Sequence, residues 1–359
     1  MEEKKKSTGN KVLLIICVFI VLIVVVLFAG YAIIADQMNK GFTRTVKPDK
    51  RFSANYTYED YSDSMDRKEI SFSSGENTLE GFIYGENHTK GLIVFAHGIG
   101  AYHESYITLL KSLYDRGYKV FTYNATGTCG STGESTIGLV QSALDLDAAL
   151  TYAETNPELS DMPFLVLGHS WGGYAAAAVL NFEHDITASV SLSGYCDSVA
   201  ELEETLDNRF GSVSKLFYPY IKIINKSTFG DNAGLSAIDG INKSDVPVLV
   251  VHADNDPTIS YKGASIISKS DLITNPNVEY FTFSDENRND HGSYLYSAEC
   301  AEYRKEVNSN YDKIENKNGD ISSEIAEKYW SKVNRLKYNI AAPDVIDLID
   351  HFYEKELEK

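Results

Sequence analysis

The stretch Leu167-Gly168-His169-Ser170-Trp171-Gly172-Gly173 constrains this chain more than any other. Before it, Pro163-Phe164-Leu165-Val166-Leu167 is a short apolar run that reads as a buried strand. After it, Tyr174-Ala175-Ala176-Ala177-Ala178-Val179-Leu180 strongly favours helix. A strand that enters a helix through so sharp a turn forces strained dihedrals on the central residue, and small flanking residues keep the turn from clashing. The turn lifts the Ser170 hydroxyl clear of the sheet at a helix N-terminus, the arrangement of a nucleophile elbow. Gly-x-Ser-x-Gly alone also occurs by chance in surface loops. The strand–turn–helix setting is what gives it chemical meaning here.

A hydroxyl is a poor nucleophile, so Ser170 needs a base, an acid to orient that base, and donors for the developing oxyanion. Eight histidines are available. His169 adjoins Ser170, which turns its side chain away. His97 lies in the turn after an apolar strand, His252 ends a strand, and His351 falls on the polar side of the last helix. His88, His103 and His184 precede the acid. His291, in Asn289-Asp290-His291-Gly292, follows the last predicted strand, at the sheet end where open α/β sheets build their sites. The order Ser…Asp…His selects it as the base. For the acid, His252-Ala253-Asp254-Asn255-Asp256-Pro257 offers two carboxylates. Asp256, just before Pro257-Thr258-Ile259, is the residue read as the acid, with Asp254 and Asp197 as alternatives. A calcium loop would need a following Gly and a distant Glu that are missing. No metal and no cofactor is expected.

The rest of the chain supplies a frame for such a site. Glu69 to Gly85 reads as a hairpin turning at Ser74-Gly75-Glu76-Asn77. Apolar strands are predicted at 91–96, 119–123, 187–192, 246–251 and 278–283. They alternate with helices at 106–116 and 138–156 and behind Ser170. That alternation implies a mostly parallel α/β sheet covered on both faces. The Gly-rich loop 127–133 lacks G-x-G-x-x-G and is no P-loop, so it reads as a structural turn. The pattern breaks at 196–244, rich in Phe, Tyr and Ile, which reads as an inserted helical cap. Residues 293–340 are charged and read as an extra helical segment. The final helix begins near Pro343, with Val345, Ile346, Leu348, Ile349 and Phe352 on its apolar face.

At the other end, residues 12–35 carry no charge, and a bilayer core needs ~20 apolar residues as a helix. A signal-peptide core is shorter, ~7–15 residues, which favours an anchor, although Gly30-Tyr31-Ala32 resembles a cleavage site. Lys4, Lys5, Lys6 and Lys11 precede the run. A short tail of this kind favours residues 1–11 in the cytoplasm and the bulk of the protein outside the cell membrane. Residues 36–66, polar and without a period, read as a linker or stalk before the domain 67–359. The net charge of −18 argues against nucleic acid. Four scattered cysteines give no disulfide framework.

Taken together, His97-Gly98-Ile99-Gly100, the 127–133 loop, the Ser170 elbow, His252-Ala253-Asp254-Asn255-Asp256 and His291-Gly292 fall in the order of the α/β-hydrolase superfamily. The chain resembles its monoacylglycerol lipase-like and serine aminopeptidase-like branch over roughly residues 68–292 and the last helix. The resemblance implies that the acid is Asp256, the last residue of a His-Gly-x-x-Asp stretch in which Ala253 replaces the usual Gly. It also implies an oxyanion hole from the backbone N–H groups of Ile99 and Trp171. The segment 293–340 departs from the family, where the last helix follows the histidine closely. A serine at the nucleophile position argues against dehalogenase or epoxide-hydrolase chemistry. The expectation is a membrane-anchored serine hydrolase acting on a lipid or other acyl ester. A peptidase of the same fold is the alternative within enzymes, and a non-catalytic binding protein the alternative outside them.

Overall fold

The computed structural model describes residues 2–318 and 321–359. Met1, in the expected tail, and Gly319 and Asp320, in the expected extra segment, lie outside the described residues. The uncharged run lies within one long helix, α1 (Glu2–Gly41). Its apolar part is long enough to cross a bilayer, a property that signal sequences share.

Then follow β1 (Lys68–Ser74), β2 (Asn77–Tyr84), β3 (Leu92–Ala96), α2 (Ile107–Tyr114), β4 (Lys119–Tyr123) and α3 (Gln141–Thr155). Next come β5 (Phe164–His169), α4 (Trp171–Ala178) and β6 (Ile186–Leu192), then α5 (Ser198–Phe210), α6 (Tyr218–Phe229) and α7 (Ala237–Lys243). The strands β7 (Val248–Ala253) and β8 (Val278–Phe283) complete the sheet, before α8 (Ala298–Asn318), α9 (Ser323–Trp330), α10 (Arg335–Tyr338) and α11 (Pro343–Leu357).

The sheet runs β1-β2-β4-β3-β5-β6-β7-β8, antiparallel as far as β4 and parallel from there on. Its central strands are buried on both faces, which is why their sequences are continuous apolar runs. Val94, Val166 and Val250 face α3, α4 and α7, packed with Leu146, Ala176 and Ile241. Their neighbours Ile93, Phe95, Leu165 and Leu167 face α2 and α11, packed with Leu110, Leu113, Ile349 and Phe352. Each such side chain contributes about 1.5–3 kcal/mol by leaving water. After β3 the chain moves outward to β4, then returns to the other side of β3 as β5. The carboxyl ends of β3 and β5 therefore flank the crevice where the winding direction reverses.

Two segments differ from the expected ones, and a third closes on itself. Residues 36–66 are not a free stalk. Beyond Gly41 they form a strap that buries Phe42, Ala54 and Met65. Thr43 and Thr45 pair with Ser135 and Thr128, and Arg44 donates to the carbonyls of Gly133 and Ser131 at 2.5 and 2.9 Å. Such contacts are made one residue at a time, so they leave no period in the sequence. The cap is shorter than 196–244. Ala237 and Ile241 are fully buried and Gly240 is pressed on the Ala177 carbonyl, so α7 belongs to the layer beside α4 and the cap is α5 and α6. Finally, the two ends of the extra segment meet. Tyr296 bridges Ala341, and Ala342 N–H donates to the Leu295 carbonyl at 3.0 Å. The segment is thus a closed excursion, and α11 follows the His291 loop in space although not in sequence.

Candidate active site

Ser170 sits between β5 and α4 with φ 59° and ψ −115°, a region that costs a side-chain-bearing residue about 1–3 kcal/mol. The surrounding packing holds it there. Ser170 N–H donates to the Leu192 carbonyl of β6 at 2.8 Å, and Tyr174 N–H donates to the Ser170 carbonyl at 2.9 Å. A Cβ on Gly168 would overlap the Gly172 carbonyl, and one on Gly172 would overlap the Ala96 carbonyl of β3. Both glycines are therefore required by close approach of backbone to backbone.

The Ser170 Oγ lies 2.8 Å from His291 Nε2, and His291 Nδ1 lies 2.7 Å from Asp256 Oδ2. A carboxylate only accepts, so Nδ1 carries the proton and Nε2 is free to accept from the serine hydroxyl. His291 is presented by a turn in which Asp290 Oδ1 accepts from the N–H groups of Gly292 and Ser293 at 3.1 and 2.8 Å. Arg288 ties that loop to α11 through Asp344, with both bonds at 2.8 Å.

Asp256 stands beyond β7, where Asp254 N–H still donates to the Phe283 carbonyl of β8. Its Oδ1 accepts from the N–H groups of Thr258 and Ile259 at 2.8 and 3.0 Å, a side-chain-stabilised turn around Pro257. His252 Nε2 lies 3.3 Å from its Oδ2. Burial pushes this carboxyl up, but hydrogen bonds from His252, His291 and the Ile259 backbone outweigh it and hold the group well below the usual carboxylate range. Asp254 instead accepts from the Asn289 side chain at 2.9 Å, and Asp197 caps α5 through the N–H groups of Val199 and Ala200. The carboxylate that meets His291 is thus Asp256.

Trp171 is the first residue of α4, whose leading N–H groups have no partner within the helix. Its indole N–H donates to the Leu139 carbonyl at 2.8 Å, fixing the residue against the loop before α3. Ile99 follows β3 in the turn His97-Gly98-Ile99-Gly100, and a Cβ on Gly98 would stand 3.4 Å from the Ser170 Cβ. The Ile99 turn and the Trp171 helix start therefore flank the serine from two strands that are direct neighbours.

Comparison with known proteins agrees with this topology. A sequence model of the serine aminopeptidase family S33 matches residues 87–233. The esterase Pf2001 of Pyrococcus furiosus superposes with a TM-score of 0.51 at 17% identity, over 76% of this chain and 97% of the esterase. The chain is an α/β-hydrolase by fold. An acylaminoacyl peptidase of Pyrococcus horikoshii aligns over 64% of this chain and 38% of its own length, with a TM-score of 0.48 and 17% identity. Est1E of Butyrivibrio proteoclasticus, solved with ferulic acid bound, aligns over 62% of this chain and 90% of its own, with a TM-score of 0.46 and 18% identity. No curated protein matches the chain in sequence. The S33 match ends between α6 and α7, so it takes in Ser170 and neither Asp256 nor His291.

Sequence reasoning missed two residues of this site. His169 Nε2 lies 2.8 Å from the His291 carbonyl, and its Nδ1 lies 2.9 Å from the Tyr106 hydroxyl. That hydroxyl accepts the Gly98 N–H at 3.2 Å. Tyr106 therefore donates to Nδ1, and the proton of His169 sits on Nε2, donating to His291. Burial and the neighbouring His291 push the His169 pKa down to about 3, so the ring stays neutral in this role. The result is one hydrogen-bonded path from the Gly98–Ile99 turn to the backbone of His291. The only sequence signal was the adjacency of His169 to Ser170, which says nothing of its partners. His97 also has a structural task. Burial pushes its pKa down to about 4, and its Nε2 accepts the Ala125 N–H at 3.0 Å, locking the turn after β3 to the end of β4.

Proposed function

We propose that this chain is a serine hydrolase that cleaves a carboxylic ester through an acyl-enzyme. The observation that carries the reading is the continuous hydrogen-bonded set Ser170–His291–Asp256 at the carboxyl ends of the strands. Ser170 Oγ attacks the ester carbonyl while His291 Nε2 takes its proton. Asp256 holds the imidazole in the Nδ1–H tautomer and stabilises the imidazolium. The N–H groups of Ile99 and Trp171 receive the oxyanion. Collapse of the tetrahedral intermediate expels the alcohol, which leaves with the proton from His291. Water, deprotonated by the same nitrogen, then releases the carboxylic acid and restores Ser170. The S33 match favours a second reading, a peptidase that runs the same steps on an aminoacyl amide. A fluorophosphonate should label Ser170 in either case. Turnover of a panel of acyl esters and aminoacyl amides separates the two, with esters expected to be faster.

The path through Tyr106 and His169 positions the base rather than touching substrate. Tyr106→Phe removes the hydrogen bonds of the hydroxyl to the Gly98 N–H and to His169 Nδ1, and a bond of this kind contributes about 1 kcal/mol. It is expected to lower kcat roughly tenfold with KM nearly unchanged and the fold intact. Unaltered kcat in a folded Tyr106→Phe protein would detach the path from catalysis.

We read α1 as a membrane anchor, with residues 1–11 cytoplasmic and the hydrolase domain outside. The full chain should remain with sedimented membranes through high-salt and carbonate washes. Its recovery from the medium as a form lacking the first ~30 residues would instead mark a cleaved signal.

A further inference from the structure

The last turns of α1 are part of the cap. Ile34 is buried with Ile221 and Ile224 of α6, and Tyr31, Ala35 and Met38 pack around them. The rings of Tyr31 and Tyr220 meet edge-on at 6.5 Å, and a Cβ on Gly30 would come within 3.0 Å of the Tyr220 hydroxyl. Phe42, just past the helix, joins the packed cluster that contains Leu139 and Trp171. Anchor, cap and the wall beside the serine are therefore one packed body. The α1 residues in this contact straddle the end of the uncharged run, which stops at Asp36. At 1.5 Å rise per residue, the cap meets α1 within about two turns of the level where hydrocarbon gives way to headgroups.

The cap segment beside α1 contrasts with the acidic chain as a whole, and of its cations Lys222 and Lys226 pair with Glu203 and Asp231. From Arg209 to Lys226 the chain carries four cations and no carboxylate, in a protein of net charge −18. The same segment exposes Phe210, Val213, Leu216 and Ile223, with Leu216 71% exposed. Apolar side chains flanked by Lys and Arg, with tyrosines at their border, match a membrane–water interface: hydrocarbon below, phosphate groups beside it.

We propose that α1 seats the cap in the bilayer interface, with Phe210, Val213, Leu216 and Ile223 in the lipid of the leaflet from which α1 emerges, and that the site draws a bilayer-resident acyl ester from that leaflet. The second clause rests on the ester-hydrolase reading; the first does not. Fluorescence tests the seating without turnover. Full-length Val213→Trp protein is reconstituted in phosphatidylcholine–phosphatidylglycerol vesicles whose acyl chains are brominated near the headgroups. The emission of the unsubstituted chain, from Trp171 and Trp330, is subtracted. The introduced indole is expected to be quenched about twofold or more relative to unbrominated vesicles, as an interfacial side chain would be. Ser160→Trp, in the exposed loop before β5 at the opposite end of the sheet from the cap, is expected to be unaffected. No quenching at position 213, or equal quenching at both positions, overturns the seating.

The supply of substrate is tested with a full-length triple variant, Phe210→Ser with Val213→Ser and Leu216→Ser. It should hydrolyse a long-chain ester held in vesicles about tenfold more slowly than the parent, since apolar burial drives such insertion. A soluble short-chain ester should be cleaved at the parent rate. Equal rates on both substrates, or equal losses on both, overturn delivery from the leaflet. A chain quenched at position 213 but inert to every ester would keep the seating and remove the hydrolase reading.

Discussion

Ser170→Ala is expected to lower ester turnover by roughly 10³–10⁶-fold and to leave the protein folded. The size of the loss follows from the chemistry. Without the hydroxyl no acyl-enzyme forms, and only the oxyanion donors and substrate binding remain to favour attack by water. Folding should survive because, among the described residues, the Ser170 hydroxyl is bonded to His291 alone, whereas the elbow is held by backbone contacts. Alanine keeps the Cβ, so the strain at φ 59° is unchanged. Turnover of a chromogenic ester, fluorophosphonate labelling and thermal melting of parent and variant together make the test. Parent-level activity in the variant would falsify the nucleophile assignment, and loss of folding would show that the elbow depends on the hydroxyl.

The second large effect is expected at the acid. Asp256→Asn keeps the shape of the side chain but loses the charge that stabilises the imidazolium, and the amide can present N–H to the imidazole, favouring the wrong tautomer. We expect kcat to fall ~10²–10⁴-fold with a much smaller change in KM. Asp254→Asn should lose less than tenfold, because its exposed carboxylate meets the Asn289 side chain rather than an imidazole. Asp197→Asn should act on the cap, since Asp197 caps α5, and asparagine caps nearly as well. Kinetics of all three variants on one ester, with circular dichroism to check folding, gives the ranking. A severe defect in Asp254→Asn beside a mild one in Asp256→Asn would transfer the acid's role. The charge on Asp256 should also persist in mildly acidic solution, because hydrogen bonds from His252, His291 and the Ile259 backbone outweigh its burial. Protonation of this group therefore should not limit activity above pH ~4, the ordinary carboxylate range.

The layering of this chain was legible because it is periodic. Strands buried on two faces must be continuous apolar runs, and alternation with helices then dictates a mostly parallel sheet, so β3 to β7 could be read directly, as could α11 from its one apolar face. The turn at Ser170 was legible for a different local reason: backbone atoms approach so closely there that only Gly168 and Gly172 fit. From these features and chain order, Ser170, His291 and a carboxylate near the end of β7 could be named as candidates. The choice between Asp254 and Asp256 could not be made from spacing, since two residues along an extended strand point the same way. Tertiary structure breaks that equivalence: the chain leaves the sheet after Asp254, and the turn at Pro257 aims Asp256 at His291. Tyr106 and His169 were illegible for a related reason, since their partners lie 63 and 122 residues away in sequence. The strap at 42–66 and the closure of the excursion at Tyr296 and Ala341 depend likewise on single contacts between distant segments. Periodic burial writes itself into the order of residues, whereas a contact made once, across a loop, is decided only when the chain has folded around it.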